Sequence, residues 1–126
     1  ESFTGLPPKG HRVVQTRSEF RNITRAWQIF RINGVELESD FSLLTRSRNS
    51  APLSSTNRVI NPENLFVEAG TSLEYVTINA STGPVYIGSN ATAMEGSLIR
   101  GPVALCEGAT VKMGARIYGP STIGPY

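Results

Sequence analysis

From Ile87 onward the apolar positions return every six residues, at Ile87, Ala93, Ile99, Leu105, Val111, Ile117 and Ile123. Four residues after each comes a small or β-branched one: Ala91, Ser97, Val103, Ala109, Ala115 and Ser121. A helix needs an apolar period near 3.6 and an ordinary strand one of 2, so neither sustains six. A short strand followed by a bend does, when the pair repeats. Strand side chains alternate, so the residue two before each aliphatic one also points inward. It is small because two large groups per side would overfill a narrow interior. Asn90, Gly96, Pro102, Gly108, Gly114 and Pro120 share one place in the unit and read as corners. A slower rhythm lies on top, with Gly-Pro at Gly83-Pro84, Gly101-Pro102 and Gly119-Pro120, eighteen residues apart. Three six-residue sides make one coil, and the pattern predicts stacked coils of a parallel β-helix.

The same inward pair appears earlier. Leu65 and Val67 copy Val85/Ile87 and Val103/Leu105, which starts the β part near Val59. Val67 to Ile87 spans twenty residues rather than eighteen, so a short insertion is expected around Leu73 to Gly83. Before the coils the period changes. Leu6-Pro7-Pro8-Lys9-Gly10 reads as a loop, His11 to Thr16 as a short strand, and Ser18 as an N-cap. Phe20, Ile23, Trp27 and Phe30 then fall at helical spacing, with Asn33-Gly34 as the stop. A second helix is expected from about Val35 to Leu44, with Leu37, Phe41 and Leu44 on one face. The Trp27 and Phe30 stripe reads as core or interface. Residues 45 to 58 are rich in Ser, Arg and Asn and read as a linker or wrapping loop. The division is thus a helical and linker segment over 1–58 and a β-helix over 59–126, with the helices capping or packing beside the N-terminal end of the prism. Repeat folds need about three or more repeats and closed ends. Two full regular coils are visible here and a third begins at Tyr126, so the chain reads as a piece of a longer protein, truncated within its β-helix.

Composition narrows the chemistry. The chain has 126 residues, 17% charged, with a net charge of +2. Its first-half arginines alternate with Glu19, Glu36, Glu38 and Asp40, which fits a solvated surface rather than a nucleic-acid patch. A lone cysteine, Cys106, excludes an internal disulfide. It follows the inward Leu105 and is expected to point outward as a plain thiol. No run is long enough for a membrane span and no signal peptide opens the chain, so a cytoplasmic location and no membrane partner are expected. One histidine, His11, and one cysteine make no metal site, and no catalytic residue is assigned.

Several segments carry a family resemblance. Arg25-Ala26-Trp27-Gln28-Ile29-Phe30, Asp40-Phe41 and Leu43-Leu44-Thr45 lead into Pro52-Leu53-Ser54-Ser55-Thr56-Asn57-Arg58-Val59. Thr82 to Gly88 and Met94 to Pro102 follow. The coils resemble the hexapeptide repeats of left-handed parallel β-helix acyltransferase-like proteins, and the left hand is implied by that resemblance alone. The whole run, about residues 20 to 126, resembles bacterial sugar nucleotidyltransferase-like proteins of the Bacteroidetes type. They are similar in layout to the bifunctional N-acetylglucosamine-1-phosphate uridyltransferase/glucosamine-1-phosphate acetyltransferase. The resemblance implies a parent enzyme with a preceding nucleotidyltransferase domain, Mg²⁺ as cofactor, acetyl-CoA if the β-helix is catalytic, a sugar phosphate or nucleotide as ligand, and a trimer formed through the β-helix. The chain departs from it in lacking a Gly-rich basic phosphate loop with its acidic metal ligands, and in lacking a histidine on the coils. No cofactor is therefore expected on these residues, and the chain alone is expected to be inactive.

Outward positions carry the remaining expectations. Stacking by eighteen puts Met94 over Lys112, Glu95 over Met113, Leu98 over Arg116 and Arg100 over Tyr118. One side would show Met94, Leu98 and Met113, packed against another subunit or against the helical segment. A neighbouring side would show Arg100 and Tyr118 to a sugar phosphate or nucleotide. Three readings follow: part of a sugar-1-phosphate nucleotidyltransferase with acyl transfer as an added activity, a non-catalytic β-helix oligomerisation module, or an acetyl-CoA-dependent acyltransferase whose histidine lies outside these residues.

Overall fold

The structure, a computed structural model, describes residues 21–125 together with Gly10. Among these residues it consists of one α-helix, α1 (Trp27–Thr45), followed by eleven short strands, with a single 3-10 turn (Pro62–Asn64) between the first two. These are β1 (Arg58–Ile60), β2 (Leu65–Val67), β3 (Ser72–Leu73), β4 (Thr77–Asn79), β5 (Val85–Ile87), β6 (Thr92–Ala93), β7 (Leu98–Arg100), β8 (Val103–Leu105), β9 (Thr110–Val111), β10 (Arg116–Tyr118) and β11 (Ser121–Ile123). Each third strand stacks on the one before. Face A is β1-β4-β7-β10, face B is β2-β5-β8-β11 and face C is β3-β6-β9, all parallel. The fold is a parallel β-helix, as the six-residue rhythm predicts; it has three complete coils and most of a fourth, where the sequence shows two full regular ones.

The interior is built from the predicted positions. Ile87, Ile99 and Leu105 are buried, and so are the small partners Ala91, Ser97, Val103 and Ala109. Ser97 is the one polar group in that core. Its hydroxyl donates to the carbonyls of Met94 at 2.7 Å and Lys112 at 3.2 Å, which offsets the cost of burying it. The corners hold as well. Asn90, Gly96, Gly108 and Gly114 take left-handed φ values of 57°, 73°, 67° and 70°. Leu98, Ile99 and Arg100 lie against Arg116, Ile117 and Tyr118, the predicted spacing of eighteen. Val67 lies against Ile87, twenty residues on. The extra residues sit where a Gly-Pro corner is absent or extended, at Asn61–Asn64 in the first coil and Ala80–Pro84 in the second.

The helical region departs from expectation. One continuous helix replaces the two predicted, and it runs through Asn33-Gly34. The pair is not a stop; Gly34 instead lets α1 pack close against Pro120. A Cβ there would stand 2.9 Å from Pro120 Cγ. The Ser18 cap, the His11–Thr16 strand and Phe20 lie outside the described residues. At the helix start, Gln28 Oε1 accepts from the backbone N–H groups of Thr24 at 2.7 Å and Arg25 at 2.9 Å, which satisfies amides left free there. Trp27 and Phe30 are not core: they are 54% and 80% exposed.

Of the two placements expected, capping or packing beside the prism, the helix takes the second. It lies along face B, from Pro120 and Thr122 in the last coil to the first coil. The cap is the strap that follows. Ala51 and Leu53 pack on the top of the core. Ser50 Oγ accepts from Val67 N at 2.9 Å, and Ala51 N donates to Val67 O at 2.7 Å. Asn57 donates to Leu73 O at 2.8 Å and accepts from Val76 N at 3.0 Å. Ser50 and Asn57 thereby meet backbone groups that a further coil would otherwise meet.

Candidate functional site

Among the described residues, two grooves outside the core bear on function. The first runs between α1 and face B. On the helix, Asn33, Leu37, Phe41 and Leu44 recur at helical spacing and face the sheet. This matches the predicted Leu37, Phe41 and Leu44 stripe. On the sheet, the outward column is Phe66, Tyr86, Ala104 and Thr122. The large aromatics stand at the first coils and the small residues at the last. The helix is therefore held at its two ends. Near its start, Thr122 Oγ1 donates to Asn33 Oδ1 at 2.9 Å. At its end, Arg48 donates to Leu44 O at 3.1 Å and to Glu68 Oε2 at 2.7 Å. Its guanidinium also lies 5.1 Å over the ring of Phe66, which stacks on Tyr86 with centroids 5.9 Å apart. Tyr86 closes the network by donating to Glu68 Oε1 at 2.6 Å. Hydrogen bonds from Arg48 and Tyr86 hold the Glu68 carboxyl below the usual carboxylate range, against the opposing effect of burial. Burial and the Glu68 carboxylate push the Tyr86 phenol up. Between the two anchors the groove encloses about 300 Å³. Cys106 lines it, pointing away from the coil interior as expected but covered by the helix, and burial raises its thiol.

The second groove is on face A, about 370 Å³, and is open to solvent. The register sets two outward columns across four strands. One is Arg58, Thr77, Leu98 and Arg116; the other is Ile60, Asn79, Arg100 and Tyr118. Arg58, Arg100, Arg116 and Tyr118 are exposed, and neither column carries a carboxylate. The ion pairs among the described residues are Arg21–Glu36 and Arg48–Glu68, so these three arginines have no carboxylate partner there.

The structure regroups the predicted outward residues. Arg100 and Tyr118 are neighbours on face A, as expected. Leu98, 43% exposed, shares that face with them rather than lying on another. Met94 and Met113 leave it. They sit in the turns after β6 and β9, at the corner between faces C and A, where Met113 is 70% exposed. The reason is local: the strands of face C are two residues long, so the chain has already turned at Met94 and Met113. Arg116 was legible only as the stacking partner of Leu98. Its value lies in its diagonal relation to Arg100, which the arithmetic of eighteen contains but which becomes visible only when both are placed on one face. Arg48 and Glu68 gave no sequence signal, since no period links a polar strap to a coil. His11 lies outside the described residues, and among those residues no group of three His, Cys, Asp or Glu side chains could hold a metal ion. Compared with family models, curated proteins and solved structures, the chain gives no match.

Proposed function

We propose that this chain belongs to an enzyme of sugar-nucleotide synthesis, one that transfers a nucleotidyl group from an NTP to a sugar 1-phosphate. In this reading its β-helix is the rigid part that joins, positions and trimerises the catalytic units, and it winds with the left hand that the sequence resemblance implies. The supporting observation is the Arg48–Glu68–Tyr86 network. It ties the end of α1 at Leu44 to Tyr86, and so holds together two of the segments that carry the resemblance, Leu43-Leu44-Thr45 and Thr82 to Gly88. The described residues hold no ligand cluster for Mg²⁺ and no histidine, so no step of nucleotidyl or acyl transfer is assigned to them. The test is pyrophosphate release from a panel of NTPs and sugar 1-phosphates with Mg²⁺. The natural full-length protein should turn over and the 126-residue chain should not. Turnover by the chain alone, or none by the full-length protein, overturns the reading.

A second reading, pure assembly without catalysis, is favoured by Met113 and Leu98, large apolar side chains 70% and 43% exposed on a rigid surface. Sedimentation of wild type, Met113→Glu and Leu98→Glu decides it. A trimer lost in either variant supports the surface as a subunit contact. An unchanged oligomer removes it.

A further inference from the structure

We infer that face A carries a diphosphate-binding site formed by Arg100 and Arg116 with Tyr118 beside them. The inference does not rest on the enzymatic reading above, since it concerns binding without turnover. Its geometry comes from the sheet. Arg116 pairs with Leu98, and Arg100 stands two residues further along the same strand as Leu98. Adjacent strands lie ~4.8 Å apart and two residues advance ~6.6 Å, so the Cα atoms of the two arginines are about 8 Å apart on the diagonal. Both side chains leave the same face, outward and exposed. Two guanidinium forks rooted that far apart can each grip one phosphoryl group of a diphosphate, with paired N–H donors on paired oxygens.

The charge balance favours an anion. Three arginines stand in two columns that contain no acidic residue, and no described carboxylate pairs with them. Like charges held this close on a rigid sheet repel, and an anion between Arg100 and Arg116 relieves that repulsion. Arg58 extends the same field to the first coil. The wall is suited to a ring. Tyr118 lies directly beside Arg100 and is 75% exposed, and Leu98 directly beside Arg116 is also exposed. A flat aromatic and an aliphatic surface flanking a phosphate grip give a sugar or base somewhere to lie. The chemical class is a small diphosphate carrying a ring, because the two arginines grip side by side and the exposed Tyr118 and Leu98 flank them.

The probe is sodium pyrophosphate, titrated into the chain by calorimetry at fixed ionic strength, with UDP as a second titrant. Wild type should bind pyrophosphate saturably with one site per chain. Arg100→Lys and Arg116→Lys keep the charge but lose the fork, and each should weaken binding about ten-fold or more. Arg46→Ala, in the turn after α1, should leave it unchanged. Tyr118→Ala should spare pyrophosphate and weaken UDP several-fold. Lysine variants that bind like wild type, or a loss with Arg46→Ala as large as with Arg100→Lys, overturn the site. Tighter binding of a short single-stranded oligonucleotide than of pyrophosphate also overturns it, in favour of a general polyanion surface.

Discussion

Glu68 is a surface-facing carboxylate with a structural task. Its two oxygens take hydrogen bonds from Arg48 at 2.7 Å and Tyr86 at 2.6 Å, and its folded pKa is depressed. A depressed carboxylate contributes stability above its unfolded pKa and loses it as pH falls through the folded value. The expected outcome is that thermal midpoints of wild type and Glu68→Gln differ at neutral pH and converge as pH falls from about 5. Curves that stay parallel down to pH 2 would show that the clasp has no weight. A second residue shows how a correct reading can carry the wrong reason. Gly101 was legible as part of a corner. Its requirement is closeness rather than φ: an added Cβ would run into the carbonyl oxygen of Gly83 in the coil above. Backbone cannot swing aside as a side chain can. Gly101→Ala should therefore cost about 1–3 kcal/mol in denaturant unfolding, and a variant as stable as wild type contradicts the stacking.

For the helix, propensity and packing point in opposite directions. Gly34 sits inside α1, where alanine is favoured by about 1 kcal/mol. A Cβ there would meet Pro120 Cγ at 2.9 Å and Cβ at 3.3 Å, and a proline ring at a prism corner has little freedom to give way. Gly34→Ala should raise the helicity of the isolated α1 peptide by circular dichroism. In the whole chain it should lower the thermal midpoint, because the contact that seats the helix is pushed apart. A raised midpoint would mean that the helix is not seated by Pro120. The same residue explains why two helices were expected. Asn-Gly is a strong local stop signal, and only a partner 86 residues away in the chain, Pro120, reveals its other use. The remaining apolar residues of α1 are legible only in part. Leu37 and Phe41 turn to face B, while Phe30 and Leu43 remain 80% and 72% exposed.

At the scale of the molecule, the prism is a one-dimensional stack in which each coil touches its neighbours. Ile87 is fully buried among coils on both sides, whereas Ile117 is only partly buried at the edge of the stack. Ile87→Ala should cost about 2–5 kcal/mol. Ile117→Ala should cost less, and amide exchange should be slowest in β5 and faster in β10. Equal costs at both sites would argue against nearest-neighbour stacking. From Val85 onward the sequence by itself determined the coil: its length, its corners, its inward positions and its strand register. It could do so because each of these follows from a period, and a period relates any residue to its counterpart in the next coil. The tertiary structure alone decided that α1 lies along face B, that Ser50 and Asn57 close the top of the stack, and that Leu98, Arg100, Arg116 and Tyr118 share one face while Met94 and Met113 turn away from it. The first two are single contacts between segments that no period connects. The last depends on where each short strand ends, and hydrogen bonding between coils sets that limit.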